Sequence, residues 1–264
     1  MRLDAVIRPS TLDGRVDAPP SKSHSHRALF IGLLTGGLTR VVRPSRCTDV
    51  MASLGAVRAF GAGASVDGTI ESSGLPRPPK RAVNCRRSAT TMRIAMAVAA
   101  LAPGRTTLLG SGSLARRPMR DGVEALRQLG VGVRSTGGLP PVVVEGGRPA
   151  GESVRVSAET SSQFATGLLL IAPKLGLTVE VVGDVKSRPY LEMTLEMMRR
   201  SGIEFEREGW RVEFPRQEYR PGVIGIPGDY SSAAFLLAAG ALCGRVRVGG
   251  LPPPSGHPDA RVLE

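Results

Sequence analysis

Apolar positions along the chain fall into two patterns that take turns. Four segments share a Ser/Thr-rich start, a nearly unbroken apolar run of helix length, a Gly and a β-branched tail. They are KSHSHRALFIGLLTGGLTRVV (22–42), RSATTMRIAMAVAALAPGRTTLL (87–109), TSSQFATGLLLIAPKLGLTVEVV (160–182) and YSSAAFLLAAGALCGRVRVGG (230–250). Ser and Thr suit helix N-caps, because their oxygens accept orphan backbone N–H groups. A run apolar on all faces predicts a helix buried on most sides. After three of these segments comes an amphipathic helix ending in Gly: TDVMASLGAVRAFG (48–61), RPMRDGVEALRQLG (117–130) and SRPYLEMTLEMMRRSG (187–202). Two of them begin Arg-Pro, which predicts Pro in the first helical turn and makes Arg117 the opener of its helix. Short β-branched stretches follow, at 130–135, 141–147 and 202–215. The chain therefore reads as strand, buried helix, strand, amphipathic helix, two strands, recurring about every 70 residues. The fold class expected is α/β, with three complete βαβαββ units and part of a fourth. HPDARVLE (257–264) starts what should be the fourth unit's second helix. The expectation is a chain that is an incomplete copy of a longer protein.

Composition narrows the function. The 264 residues carry a net charge of +12 with aromatics at only 4%. Such a balance suits nucleic acid, an acidic surface or small anions. Stacking platforms for single strands are poorly supplied, and no run of five like charges occurs. No apolar run approaches the roughly 18 residues of a membrane span, and the N-terminus lacks a signal-peptide pattern. Cys47, Cys85 and Cys243 lie far apart, so neither a zinc site nor a disulfide framework is expected and a cytoplasmic setting is the default. His24 and His26 are two apart, which points them in different directions on a helix and speaks against a metal pair.

Lysine is scarce, at four residues: Lys22, Lys80, Lys174 and Lys186. Lys22 opens the first buried helix with Ser23, and Arg27 sits one turn on. Ser161, Ser162 and Gln163 open the third. Helix starts attract anions through free N–H groups and the helix dipole. If these ends converge, the site takes a phosphate-bearing, polyhydroxylated molecule. Asp49 and Asp229 are candidate caps or substrate contacts.

The segment PPSKSHSHRALF (19–30) resembles the 5-enolpyruvylshikimate-3-phosphate synthases, or shikimate 1-carboxyvinyltransferases. The resemblance continues through TDV (48–50), TTMR (90–93), RRPM (116–119), ALRQLG (125–130), SSQF (161–164), SRPY (187–190) and GDYSSAAFLLAAGA (228–241), in order along nearly the whole chain. It implies an inside-out α/β prism of six repeats in two domains. Residues 21–227 would be the complete N-terminal domain with the shikimate 3-phosphate site. Residues 1–20, as first strand, and 228–264 would belong to an incomplete C-terminal domain. It also implies transfer of the enolpyruvyl group from phosphoenolpyruvate to the 5-hydroxyl of shikimate 3-phosphate, with release of phosphate and without metal or organic cofactor.

Residue by residue, the resemblance assigns Lys22, Ser23, Arg27, Ser161, Ser162, Gln163, Ser187 and Tyr190 to shikimate 3-phosphate. Lys22 also faces phosphoenolpyruvate, and Arg117 is a phosphoenolpyruvate contact. The family's acid/base carboxylates lie in a later half that this chain lacks, so 1–264 alone is expected to have no synthase turnover. The family's Gly-Asn-x-Gly loop reads Arg86-Arg87-Ser88-Ala89 here, and Ala89 is expected to push a methyl toward phosphoenolpyruvate. Neither nucleic acid nor membrane is an expected partner. Full-length family members are expected to be monomeric. In this chain Ala233, Ala234, Phe235, Leu236, Leu237 and Leu242 are expected to be exposed, promoting self-association. The competing readings are an inactive form that only binds shikimate 3-phosphate, the related UDP-N-acetylglucosamine enolpyruvyl transferase, and a basic anion- or RNA-binding module. The second wants Lys-Asn at 22–23 and a catalytic Cys near Arg116-Arg117, neither of which is present.

Overall fold

Gly61, Gly130 and Gly202 stop three amphipathic helices because each adopts the left-handed backbone that ends a helix, with φ of 99°, 70° and 85°. From such local rules the chain builds a mixed α/β fold, seen in a computed structural model that describes residues 10–185, 187–253 and 259–263. In chain order the elements are β1 (Leu12–Asp17), α1 (Lys22–Leu34), β2 (Gly36–Val42), α2 (Thr48–Ala59), β3 (Gly63–Ala64) and β4 (Thr69–Ser73). Next come β5 (Val83–Asn84), α3 (Ala89–Leu101), β6 (Gly104–Leu109), α4 (Arg120–Gln128), β7 (Gly132–Thr136) and β8 (Leu139–Gly146). They are followed by β9 (Ser153–Ser157), α5 (Gln163–Leu175), β10 (Thr178–Val182), α6 (Arg188–Arg200), β11 (Glu206–Glu208) and β12 (Arg211–Glu213). The last are β13 (Gly222–Gly225), α7 (Tyr230–Cys243) and β14 (Gly244–Gly249).

The chain divides into two units, Lys22–Ile226 and Met1–Ser21 with Pro227–Glu264. The larger holds three four-stranded sheets of one design: β13-β2-β4-β3, β5-β6-β8-β7 and β9-β10-β12-β11. In each, a leading strand runs parallel to the strand after the buried helix, and two further strands add antiparallel. The leading strand of the first sheet, β13, comes from the far end of the unit and pairs Gly222 with Thr39. β1, which precedes α1 in sequence, pairs instead with β14, from Leu12 on Gly244 to Asp17 on Gly249.

Helices fill the inside of the larger unit and the sheets cover them. α1, α3 and α5 touch one another; α2 lies on α1 and α3, α4 on α3, and α6 on α5 and α1. All but two or three residues of each central helix are buried. The strands alternate, as β9 and β10 do with Val154, Val156, Val179 and Val181 inward, the sign of a sheet with one solvated face. Helix α7 of the smaller unit differs. Only Tyr230, Ala233 and Gly240 are buried, while Phe235 and Leu242 are more than three-quarters exposed. Ala233, expected on the open face, is instead fully covered. His257 and Pro258 lie outside the described residues, and Ala260–Leu263 form a 3-10 turn. No described helix is long and apolar enough to cross a membrane.

Two glycines predict opposite outcomes. A Cβ on Gly146, at the end of β8, would overlap the carbonyl oxygens of Ala99 and Ala102 in the last turn of α3. Backbone cannot step aside cheaply. Gly146→Ala should therefore lower stability by about 2 kcal/mol or more. Gly55 is exposed inside α2 with nothing near its missing Cβ, so Gly55→Ala should raise stability by about 0.5–1 kcal/mol. Urea midpoints of the two variants check both signs.

Candidate functional site

Arginine inside an apolar helix must find partners for its N–H groups or unfold its surroundings. Arg27, 3% exposed in the middle of α1, finds them on three helices. Nε donates to Thr194 Oγ1 of α6 at 2.7 Å, and Nη2 donates to the Tyr190 carbonyl at 2.9 Å and to Thr166 Oγ1 of α5 at 3.3 Å. Nη1 donates to the Ser23 carbonyl one turn back, at 2.9 Å. Burial lowers its pKa to about 10, which leaves it charged at neutral pH. Arg27 thus ties the first turns of α1, α5 and α6 together.

A second buried guanidinium does the same from α3. Arg93, 7% exposed, donates from Nη1 to Ser161 Oγ at 2.9 Å and to Gln163 Oε1 at 3.0 Å, and from Nη2 to the Pro118 carbonyl at 3.4 Å. Its guanidinium carbon stands 4.7 Å from the Phe164 ring centroid, a cation–π contact. Burial and the neighbouring Arg117 lower its pKa to about 10, against a smaller raising effect of Asp121. Arg93 lies in TTMR but was not among the residues expected at the site. The signal was present in the sequence: a lone arginine in ATTMRIAMAVAAL (89–101) has to be paired.

The third tie is neutral. His26, 1% exposed, has Nδ1 2.7 Å from Ser53 Oγ of α2, which is 2.8 Å from Thr91 Oγ1 of α3. The single Thr91 hydroxyl proton faces the Asp49 carbonyl at 3.2 Å, and Ser88 Oγ stands 2.8 Å from Thr91 Oγ1. With Thr91 donating onward, Ser53 gives its proton to Thr91 and the imidazole N–H at Nδ1 donates to Ser53. Among the described residues Nε2, also buried, has no partner. Burial foremost, then Arg27 and Lys22, push the His26 pKa down to about 3.

These ties bring the starts of all six helices of the larger unit to one end. Lys22 Nζ stands 3.6 Å from Asp49 Oδ2 across the starts of α1 and α2. Ser23, Ser161, Gln163, Ser187 and Tyr190 are half-buried, Ser162 is buried and Arg117 exposed. The hydroxyls of Ser162 and Ser187 make no capping bond to their own helices, whereas Ser88 Oγ accepts from Thr91 N at 3.2 Å. Four cations, Lys22, Arg27, Arg93 and Arg117, face two carboxylates, Asp49 and Asp121. Six helix starts add positive potential. The end as a whole attracts anions.

Two expectations need correction. Arg117 does not open α4. It closes a 3-10 turn over Gly112–Arg116, Met119 is the N-cap, and Pro118 precedes the helix. Asp49 is not a cap, since Cys47 holds that position; Asp229 is one, its Oδ2 accepting from Ser232 N at 3.0 Å. Ala89, the first residue of α3, is 5% exposed and packs with the apolar core. The backbone that asks for glycine is at Arg86, with φ of 52°. The Arg86 carbonyl is held there by Ser111 N at 2.7 Å and Ser111 Oγ at 3.0 Å. Among the described residues, no cluster of His, Cys, Asp and Glu could hold a metal ion.

His26 makes stability depend on pH. Its folded pKa lies below the ordinary 6.5, so the unfolded chain binds the proton more readily. That stability is full above pH 6.5 and is lost as pH falls toward 3, by at most about 1.4 kcal/mol per pH unit. Between pH 6.5 and 5 the unfolding free energy should fall. His26→Gln, which keeps a donor for Ser53, should flatten that slope in urea titrations.

The comparisons with known proteins follow this geometry. The profile of the family described as EPSP synthase (3-phosphoshikimate 1-carboxyvinyltransferase) matches residues 6–264. The 3-phosphoshikimate 1-carboxyvinyltransferase of Pyrococcus abyssi is 45% identical over 263 residues, which is 98% of this chain and 62% of that protein. That of Aeropyrum pernix is 45% identical over 260 residues, 98% of this chain and 61% of the relative. The chain thus spans less than two thirds of the length of these relatives. The solved EPSP synthase of Acinetobacter baumannii superposes with a TM-score of 0.78 at 26% identity, covering 92% of this chain and 57% of that one. The enolpyruvyl transferase NikO of Streptomyces tendae gives 0.67 at 16% identity, a likeness of fold. By the reach of that profile and the identity to these relatives, the chain belongs to the EPSP synthase family.

Proposed function

We propose that the joined helix starts of Lys22–Ile226 form the shikimate 3-phosphate pocket of a cytoplasmic 3-phosphoshikimate 1-carboxyvinyltransferase. The observation that carries this reading is the pair of buried guanidinium clamps. Arg27 and Arg93 hold Ser23, Ser161, Gln163 and Tyr190 at one end of the helix bundle. In the same reading, the recurring βαβαββ units form an inside-out α/β prism. Residues 21–227 make the N-terminal domain, and 1–20 with 228–264 belong to the second.

The reaction is addition followed by elimination. The 5-hydroxyl oxygen of shikimate 3-phosphate bonds to C2 of phosphoenolpyruvate while a proton goes to C3. The C2–O bond to phosphate then breaks and C3 loses a proton, giving the enolpyruvyl ether and inorganic phosphate. The chain's part is charge and position. Lys22, half-exposed beside Asp49, meets shikimate 3-phosphate and faces phosphoenolpyruvate. Ser161, Ser162 and Gln163 bind the first substrate with Ser23, Ser187 and Tyr190. Exposed Arg117 takes phosphoenolpyruvate. Uncommitted hydroxyls at Ser162 and Ser187 support this assignment, because neither is spent on capping. Arg27 touches the first substrate with at most one N–H, the rest being bonded within the protein. Its main role is to position Ser23 and Tyr190.

Two variants separate binding from structure. Lys22→Ala removes one half-exposed cation and should raise the dissociation constant for shikimate 3-phosphate about tenfold or more, about 1.5–3 kcal/mol, with the melting point unchanged. Arg27→Ala removes the hydrogen bonds that join α1, α5 and α6 and leaves a cavity among them, and should cost about 2–5 kcal/mol of folding stability. Calorimetric titration and thermal unfolding check both. Wild-type affinity in Lys22→Ala would sink the site assignment.

A further inference from the structure

A carboxylate at an end that attracts anions opposes its surroundings unless it has another task. Asp49 is such a group. It lies in the first turn of α2, where the helix dipole favours it, yet its Oδ2 stands 3.6 Å from Lys22 Nζ at the start of α1. Among the described residues this is the ion pair that Lys22 makes.

The backbone of Asp49 is fixed from a third helix. The Thr91 hydroxyl of α3 faces the Asp49 carbonyl at 3.2 Å. Thr91 Oγ1 is also 2.8 Å from Ser53 Oγ, one turn further along α2. Thr91 and Ser53 are both fully buried. Two polar contacts to one sealed threonine therefore set the first turn of α2 against that of α3, and the Asp49 side chain reaches Lys22 from a rigid base.

Lys22 needs such a partner. It is the first residue of α1, and its flexible four-carbon stem has much rotamer freedom to lose. A ligand that must order such a side chain itself gives up about two- to tenfold in affinity. An ammonium carries several N–H donors, so one can stay with Asp49 while the others meet an incoming oxyanion. The opposing effect is repulsion between Asp49 and that anion. The side chains of Lys22 and Asp49 are 52% and 33% exposed, so water and salt screen this repulsion.

We infer, resting on the reading that Lys22 binds shikimate 3-phosphate, that Asp49 is a positioning residue. It holds the Lys22 ammonium ready at the helix starts and thereby favours anion binding in spite of its own negative charge.

Calorimetric titration of shikimate 3-phosphate into the full chain tests this by the sign of the effect. Asp49→Ala should raise the dissociation constant about threefold or more. Asp49→Asn, which keeps an acceptor oxygen for Lys22 but not the charge, should fall between Asp49→Ala and wild type. In a Lys22→Ala background, Asp49→Ala should raise the constant no further, because the group it positions is gone. A merely structural role would weaken binding equally in both backgrounds, and a merely repulsive one would tighten it in both; either result overturns the positioning role. Should Asp49→Ala fail to fold, Asp49→Asn decides, since repulsion predicts tighter binding and positioning weaker. Wild-type affinity in Lys22→Ala, or no binding to the unaltered chain, overturns the reading of the site and the role of Asp49 with it. Weakened binding in Lys22→Ala beside unchanged or tighter binding in Asp49→Ala overturns the role of Asp49 alone.

Discussion

A guanidinium sealed inside a helix bundle dictates what surrounds it. Arg27 is only 3% exposed, so every N–H left unpaired would cost about 1–3 kcal/mol or more. The protein meets this demand with the Ser23 and Tyr190 carbonyls and the hydroxyls of Thr166 and Thr194. These acceptors lie within the first two turns of α1, α5 and α6, so one side chain fixes which ends of three helices meet. Arg93 repeats the device for α3, α5 and the segment before α4, and the neutral chain from His26 to Thr91 completes it for α2.

Gathering six helix starts at one end is electrostatically unfavourable in itself. Each start carries about half a positive charge, and Lys22, Arg27, Arg93 and Arg117 add to it. Asp49 and Asp121 offset only part. The same geometry that the buried ties impose therefore creates a demand for anions, which the proposed shikimate 3-phosphate would answer. His26 fits this frame: a charged imidazole would add to the repulsion, and its pKa is held down by burial, Arg27 and Lys22. Structure and function share one cause here, since the groups that hold the bundle also set its charge.

Most helices could be read from the sequence because their signals are local: a polar start, an apolar run and a Gly at the stop. The leading strands β5 and β13 carry too few residues for a period, and β13 finds its partner β2 far along the chain, a pairing no local pattern encodes. Likewise β1 precedes α1 yet pairs with β14. At the site, Lys22, Ser161 and Gln163 were legible as polar residues at helix starts. Arg93 was passed over because its role depends on helices packing around it. Pro118 misled: Arg-Pro opens α6, but before α4 it follows a 3-10 turn and stands ahead of the Met119 cap.

If buried arginines hold several helix starts as one anion site, a ligand must engage those starts together. Hydrogen exchange with and without shikimate 3-phosphate measures this directly. The account predicts simultaneous protection of backbone amides in the first turns of α1, α5 and α6, with little change at their C-terminal ends. Protection confined to a single helix start, or none at all under saturating ligand, would contradict it.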